Sequence, residues 1–280
     1  MWVRVKMITL IQYILAVVSG VLVGFSLGLI GGGGSILAVP LFLYFVGLDS
    51  LPDAAHVAIG STALAVGLNA YINSYMHLKK HNVSARVGSV FAGVGLIGSL
   101  LGAYLGHITP GTSLLIYFSI AMIVLGVYMA VRRESTKPGT SDEVPRLMES
   151  LKKCPKLTPS TIAKVGGAGF VVGLISGYFG IGGGFLIVPS LMFSAGLCIT
   201  RAIGTSLLSV GTFGVASGAE YAAYGDVLIL VSLLYVVGGA LGGYAGTSLA
   251  VKAPRNILRV AYGAIIVLVG IYMLFKLGVL

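Results

Sequence analysis

The chain has 280 residues, of which 57% are hydrophobic and 9% charged, and its mean hydropathy is +1.01. Soluble domains carry about 25% charged residues, so this composition excludes an ordinary water-soluble protein and indicates a membrane protein. The net charge of +10 comes from short basic clusters between long apolar runs, a pattern typical of membrane insertion and not of a nucleic-acid-binding surface.

Ten apolar segments follow one another along the chain and predict an all-α polytopic membrane protein. Most are long enough to cross a hydrocarbon core, which needs about 20 helical residues. The second and seventh have only about 13 residues, or roughly 20 Å of α-helix. The segments cover residues 7–30, 35–47, 54–76, 87–107, 112–131, 162–180, 184–196, 201–224, 227–250 and 257–277. A hydrophilic stretch divides them, which predicts a first membrane repeat (1–131), a cytoplasmic linker (132–160) and a second membrane repeat (161–280).

The two halves repeat each other in their small residues. Gly24 and Pro40 have counterparts in Gly173 and Pro189, displaced by the same 149 positions. Further pairs are Gly28 with Gly177, Gly31 with Gly180, Gly33 with Gly182, Gly34 with Gly183, Gly60-Ser61-Thr62 with Gly204-Thr205-Ser206, Gly102 with Gly242, Gly106 with Gly246, and Gly126 with Gly270. So many matches at nearly fixed offsets indicate a duplication.

The short segments suggest how each half crosses the membrane. We expect each to fold back on its predecessor as a re-entrant or discontinuous helix pair, leaving three transmembrane helices per half. Because three is odd, the second half is expected to be inverted relative to the first. The positive-inside rule then places the linker in the cytoplasm and both termini outside. A parallel arrangement fits the charges almost as well, but it leaves the short segments unexplained.

In each half a long helix runs into a glycine cluster, within GLIGGGGSILAVP at 28–40 and GYFGIGGGFLIVP at 177–189. Consecutive glycines destabilise a helix by about 1 kcal/mol each, and close helix packing alone gives no reason for that cost. Unpaired N–H groups at the start of a following half-helix attract anions. We expect the two turns to enter from opposite faces and meet near the midplane, as in inverted-repeat transporters. The candidate substrate-binding residues are Gly31, Gly32, Gly33, Gly34, Ser35, Gly180, Gly182, Gly183 and Gly184.

These paired turns, each followed by Val-Pro within a half of five apolar segments, resemble the TauE/SafE sulfite exporter family, also called the toluene sulfonate uptake permease family. The resemblance covers residues 7–277. It implies transport of small sulfur-containing or organic anions, such as sulfite, sulfoacetate and related sulfonates, across a bacterial or archaeal cell membrane, with export as the expected direction.

Polar residues inside the apolar segments are further candidates. Ser61, Thr62, Thr205 and Ser206 begin the third segment of each half, where they could donate to sulfonate oxygens or bond a carbonyl of their own helix. Asn69 lies deeper in the same segment and is expected to face the bundle interior.

Glu220 is the one carboxylate embedded in an apolar segment. It lies near the predicted outer end, where solvation and proton coupling are both compatible with its position, since loss of hydration raises a carboxyl pKa.

The sequence favours a carrier over an enzyme. Neither glycine cluster has the flanking residues of a nucleotide-binding fingerprint, and the apolar segments offer no nucleophile with a base and no metal-ligand spacing. We therefore predict no cofactor and no metal, and as partners a small anion and membrane lipid but no nucleic acid; a homodimer stays open. The predicted function is a secondary transporter working by alternating access, and a passive anion channel is the alternative.

Overall fold

A computed structural model describes residues 9–79, 82–131, 158–180, 184–249 and 255–279. These residues form helices joined by short turns, with no strand among them. The helices of the first half are α1 (Leu10–Ile30), α2 (Ala38–Pro40), α3 (Ala54–Lys79), α4 (Ala85–Ile108) and α5 (Gly111–Val131). Those of the second half are α6 (Pro159–Phe179), α7 (Gly184–Ala195), α8 (Ile199–Tyr224), α9 (Ile229–Leu249) and α10 (Arg255–Lys276). The predicted linker falls between α5 and α6, mostly outside the described residues.

The helices have the lengths and surfaces of membrane spans. Within the described ranges, seven are long and apolar enough to cross a bilayer. Large apolar side chains project from their outer faces: Leu241 is 66% exposed, Leu268 67% and Tyr244 68%. A soluble protein rarely exposes so continuous an apolar surface, and lipid is the solvent that suits it. The prediction of an all-α polytopic membrane protein is confirmed.

The first short segment returns along α1. It consists of a 3-10 helix (Gly31–Leu37), the single turn α2 and a π-helical turn (Leu41–Phe45). The Gln12 side chain, at the start of α1, donates to the carbonyl of Gly47, 3.0 Å away. Both ends of the hairpin therefore lie at the same end of the bundle. The 3-10 helix rises about 2.0 Å per residue, so its seven residues cover about 14 Å, and the short segment reaches further than an α-helix of equal length.

Helices of the two halves interlock in pairs. Gly24 of α1 lies directly against the backbone of Gly239 of α9, and Gly173 of α6 lies against Gly95 of α4. These paired glycines leave no room for a Cβ, which lets the backbones approach closely. The fourth helix of each half thus packs against the first helix of the other half, as expected when two copies of one unit pack with two-fold symmetry.

Equivalent helices of the two halves run antiparallel. Along α3 and α8, Gly60 meets Tyr221, Gly67 meets Gly214, and Tyr71 meets Gly211. As the number rises on one helix it falls on the other. The fifth helices pair in the same sense, since Gly126 faces Gly263 while Gly270 faces Ser119.

The contacts correct one detail of the repeat alignment. The sequence pairs Gly102 with Gly242, but the structure pairs Gly98 with Gly242, because Gly98 faces the Phe170 carbonyl and Gly242 the Val21 carbonyl. Phe170 and Val21 are themselves 149 positions apart. The fourth helices therefore align one turn away from the sequence pairing, at the same offset of 144 as the third helices. Because glycines recur every four residues along the fourth helices, the sequence matches Gly242 equally well to Gly102 or to Gly98.

The bundle has two chemically different ends. The end with the α3–α4 turn and the start of α8 carries Lys79, Arg86 and Arg201, and we call it the basic end. We call the acidic end the one that holds the starts of α3 and α9, with Asp53 and Asp226.

Candidate anion site between the two halves

The two glycine turns are sharp reversals that only glycine accommodates easily. Gly31 has φ +80° and Gly180 has φ +61°, in the left-handed region that residues with a Cβ avoid. A Cβ on Gly31 would lie 2.8 Å from Cγ2 of Ile203, and a Cβ on Gly180 would collide with Cγ2 of Ile59. Ile203 and Ile59 are equivalent positions of α8 and α3, so each turn packs against the third helix of the other half.

The expectation that the turns meet near the midplane is wrong. Gly31 packs near the start of α8 at the basic end, and Gly180 packs near the start of α3 at the acidic end. In the antiparallel α3–α8 pair, Ile203 is level with about residue 78 of α3, which is about 28 Å along the axis from Ile59 at 1.5 Å per residue. Each hairpin runs nearly the full length of the bundle, so its turn lies close to one end.

Apolar side chains fill the region where the short segments pass each other. Ala38 of the first packs in one buried cluster with Ile187 and Leu191 of α7. Of the predicted glycines, Gly32 and Gly33 lie in the 3-10 helix, Gly34 packs on α1 beside Ser26 and Leu27, Ser35 is buried and Gly184 opens α7. Gly182 and Gly183 lie outside the described residues.

The four predicted hydroxyls hold the helices together. The Ser61 hydroxyl accepts a hydrogen bond from the Leu228 N–H at 2.9 Å, and the Thr205 hydroxyl accepts from the Ser84 N–H at 2.9 Å. Each one caps the fourth helix of the opposite half, satisfying an N–H group that a helix start leaves unpaired.

The other two hydroxyls bond within their own helices. Thr62 donates to the Ala58 carbonyl and Ser206 to the Ile203 carbonyl, both at 2.7 Å. Bonding to a carbonyl of the same helix is the alternative that the sequence left open. It engages the hydroxyl hydrogen that Thr62 or Ser206 would otherwise donate to an anion.

Asn69 lies at mid-depth in the bundle, where the glycine turns were expected. It is fully buried and lies on α3 about 14 Å from the level of each turn, halfway between them. Its Nδ2 is 3.5 Å from the Tyr235 carbonyl of α9, and its Oδ1 has no partner. An amide nitrogen carries two N–H bonds, so Nδ2 can donate to a guest as well as to the Tyr235 carbonyl.

Two tyrosines that the sequence did not single out lie close by. Tyr235 is fully buried, and its hydroxyl has no partner. Tyr262 of α10 lies near Tyr235, and it donates to the carbonyl of Gly34 in the first short segment, 2.9 Å away. A buried hydroxyl left unpaired costs about 1–3 kcal/mol, which a bound guest would recover.

The equivalent positions in the other half-interface are apolar. At the offset of 144, Asn69 corresponds to Phe213, Tyr235 to Phe91 and Tyr262 to Phe118. Phe213 fills the space against Gly95 that Asn69 fills against Gly239, and its ring centroid is 6.2 Å from that of Phe91. The duplicated framework thus carries an amide and two tyrosines at these positions on one side and three phenylalanines at the equivalent positions on the other.

Glu220 lies at the acidic end of α8. It is partly buried, its Oε2 has no partner, and it hydrogen-bonds to Tyr224. Its surroundings are therefore neither fully solvated nor fully apolar.

An all-helical bundle with lipid-facing surfaces, two interlocked halves and unpaired polar groups at its centre defines a polytopic membrane protein of the solute-carrying class. Comparison with known proteins identifies the family. Residues 16–273 match the sequence profile described as "Sulfite exporter TauE/SafE". The chain belongs to the TauE/SafE family and is a membrane transporter.

Relatives with similar sequences extend over nearly the whole chain. A "Probable membrane transporter protein" of Xylella fastidiosa (strain 9a5c) is 40% identical over 270 residues, which are 96% of this chain and 97% of the relative. YdhB of Bacillus subtilis (strain 168), another "Probable membrane transporter protein", is 26% identical over 91% of this chain and 97% of its own length. A Haemophilus influenzae protein of the same description is 25% identical over 94% of this chain and 98% of its own. No solved structure matches the chain.

Proposed function

We propose that this transporter moves small sulfur-containing or organic anions, such as sulfite, sulfoacetate and related sulfonates, by alternating access between two inverted repeats. The observation that carries the proposal is a pair of buried polar side chains midway between the two hairpin turns, the Asn69 amide and the Tyr235 hydroxyl, of which the hydroxyl has no partner. Neutral donors suit oxyanions of low charge, because a carrier must release its cargo as well as bind it.

The inverted arrangement supports a rocking mechanism. Antiparallel pairing of α3 with α8 and of α5 with α10 means that equivalent helices of the two halves point in opposite directions. A duplicated unit of this kind has two conformations of similar energy, related by exchanging the roles of the halves. The two glycine turns, each wedged against the other half's third helix, are placed to contact the anion as it enters or leaves.

The orientation follows from charge. Lys79, Arg86 and Arg201 at the basic end, with the basic clusters of the linker, favour a cytoplasmic position for that end. The acidic end and both termini then face outward from a bacterial or archaeal cell membrane, and the direction of transport is export. Labelling of the native Cys154 in the linker by an impermeant thiol reagent should occur in inverted vesicles but not in intact cells.

The substrate class is tested with purified protein in liposomes. Uptake is measured for sulfite, thiosulfate, sulfoacetate, taurine and carboxylates, with and without a proton gradient. Sulfite or a sulfonate should be carried with saturable kinetics. Loss of one hydrogen bond to a charged ligand is worth about 1.5–3 kcal/mol, so Asn69→Leu should raise KM about 10- to 150-fold.

The control uses the repeat itself. Phe213→Leu changes the equivalent position in the apolar half-interface and should leave KM within about twofold, because a small volume change in a packed core alters stability more than binding. Equal effects of the two substitutions would contradict a polar site at Asn69. Uptake of the carboxylates with none of sulfite or any sulfonate would contradict the assignment of sulfur oxyanions as the cargo.

A further inference from the structure

Histidines, carboxylates and tyrosines from four helices converge at the acidic end. Nδ1 of His107, near the end of α4, lies 3.2 Å from Oδ2 of Asp226 in the α8–α9 turn. The His107 ring stacks on Tyr224 of α8 at 3.8 Å and 8°, and its centroid is 5.8 Å from that of His56 on α3. Glu220 hydrogen-bonds to the same Tyr224.

The cluster has unfilled hydrogen-bonding capacity. Tyr221 is fully buried, its ring centroid is 6.2 Å from that of His107, and its hydroxyl has no partner. Oε2 of Glu220 also lacks a partner. His107 remains 32% exposed, so protons from the acidic-end solvent can reach it.

The same cluster touches the second glycine turn. Tyr178, two residues before Gly180, donates from its hydroxyl to Thr109 Oγ1 at 3.3 Å, and Nε2 of His56 lies 3.0 Å from the Thr109 carbonyl. Ile59, one turn after His56, is the side chain that Gly180 packs against. These contacts connect the cluster to the second glycine turn at the acidic end.

The three residues are not repeated at the basic end. At the offset of 144, His107 corresponds to Val251, Asp226 to Asn82, and Glu220 to Met76. The imidazole and the two carboxylates are therefore particular to the acidic end of the duplicated framework.

We propose that His107, Asp226 and Glu220 form a proton-binding site, and that a proton bound there holds the acidic end closed. The inference rests on the proposed transport function and adds to it the group that couples proton binding to anion movement. A proton from the acidic-end solvent binds the His107 imidazole, which then makes a charge-assisted hydrogen bond to Asp226 and lies close enough to Glu220 to offset its negative charge. Loss of that proton leaves two carboxylates without a cation between them and favours opening.

Titratable groups from four helices surround His107 and Asp226. Burial raises the pKa of Asp226, and the neighbouring His107 and His56 oppose that rise, so the carboxylate holds its charge best when an imidazolium is beside it. The groups around the pair are Asp53 and His56 from the start of α3, Tyr104 from α4, Tyr178 from α6, and Glu220, Tyr221 and Tyr224 from α8.

The first test follows transport. Counterflow of sulfite is measured in proteoliposomes with equal pH on both sides, from pH 5.5 to 8, for the wild type, His107→Gln and Asp226→Asn. Wild-type flux should fall several-fold on acidification, because more of the protein then holds a proton at His107 and stays closed at the acidic end. Both variants should keep flux at pH 8 and lose its pH dependence. Asp49→Asn, an exposed acidic residue at the same end, is the control and should keep the wild-type profile.

The second test does not depend on the anion. Hydrogen–deuterium exchange of residues 106–111 and 221–228 is compared between wild type and variants at each pH, so that intrinsic exchange rates cancel. Protection in the wild type should grow on acidification and stay flat in His107→Gln and Asp226→Asn. A wild-type pH response retained by both variants, in flux or in exchange, would overturn the proton site. The expected exchange response, present in the wild type and lost in both variants, together with no sulfite flux in any protein, would instead overturn the transport assignment and leave the proton site standing.

Discussion

Replacing Gly180 by alanine tests the reasoning about the hairpin turns. At φ +61° a residue with a Cβ loses about 1–2 kcal/mol relative to glycine. The new methyl group would also collide with Cγ2 of Ile59 and lie 3.0 Å from its carbonyl oxygen. Overpacking of this kind adds about 1–3 kcal/mol. We therefore expect Gly180→Ala to lower the free energy of unfolding by about 2–5 kcal/mol.

Gly196 supplies the matched control. It has nearly the same φ, +65°, but no atom lies within 4 Å of a Cβ built there. Gly196→Ala should therefore cost only the backbone contribution of about 1–2 kcal/mol. Reversible unfolding in mixed micelles, followed by circular dichroism, measures both variants.

A second substitution separates backbone strain from the steric collision. Ile59→Ala removes the side chain that the new methyl group strikes. The double variant should therefore lose about 1–3 kcal/mol less stability than the sum of the losses in the two single variants. Equal costs for Gly180→Ala and Gly196→Ala, together with strict additivity at Ile59, would refute the packing of this turn against α3.

Three further predictions concern single groups. Tyr235→Phe removes an unpaired buried hydroxyl, so the thermal midpoint should stay level or rise while KM for the transported anion increases about tenfold or more; a lower midpoint with unchanged KM would argue for a structural role. Ser61→Ala and Thr205→Val each remove a cap that joins the halves, and each should destabilise the protein by about 0.5–2 kcal/mol in the same unfolding assay, whereas no loss in either would contradict the cross-half caps. Burial raises the pKa of Asp226 in the folded protein, so its contribution to stability is present below the ordinary carboxyl pKa near 4 and is lost as pH rises through the raised value. Asp226→Asn should flatten the stability curve in that window, and an unchanged slope in thermal unfolding from pH 4 to 7 would count against the shift.

The architecture was largely predictable because apolar run length and small-residue repeats are direct consequences of the bilayer. Each of the ten segments corresponds to helical structure, and the fold-back of the first short segment is confirmed by the contact of Gln12 with Gly47. The depth of the turns was not predictable. A count of 13 residues assumes α-helical rise, but Gly31–Leu37 adopts the longer 3-10 form, which carries the turn to the end of the bundle.

The site was predicted only in part, because a single sequence does not say which side chains of different helices meet. Asn69 was identifiable as an amide at depth. Tyr235 carries no such signal, since a tyrosine in an apolar helix looks like packing. Aligning the two halves would have shown it, because the repeat sets Asn69 and Tyr235 against Phe213 and Phe91. Ser61 and Thr205 were noted as a matched pair, but their cross-half caps depend on tertiary contacts.

Trans-stimulation of sulfite flux tests the central claim most directly. Proteoliposomes loaded with unlabelled sulfite are diluted into a trace of labelled sulfite at fixed pH. A carrier whose central site faces one side at a time should accumulate the label transiently above equilibrium, and Asn69→Leu should abolish that overshoot. Flux that rises linearly with concentration, with no overshoot and with unitary currents in planar bilayers, would contradict alternating access and indicate an anion channel.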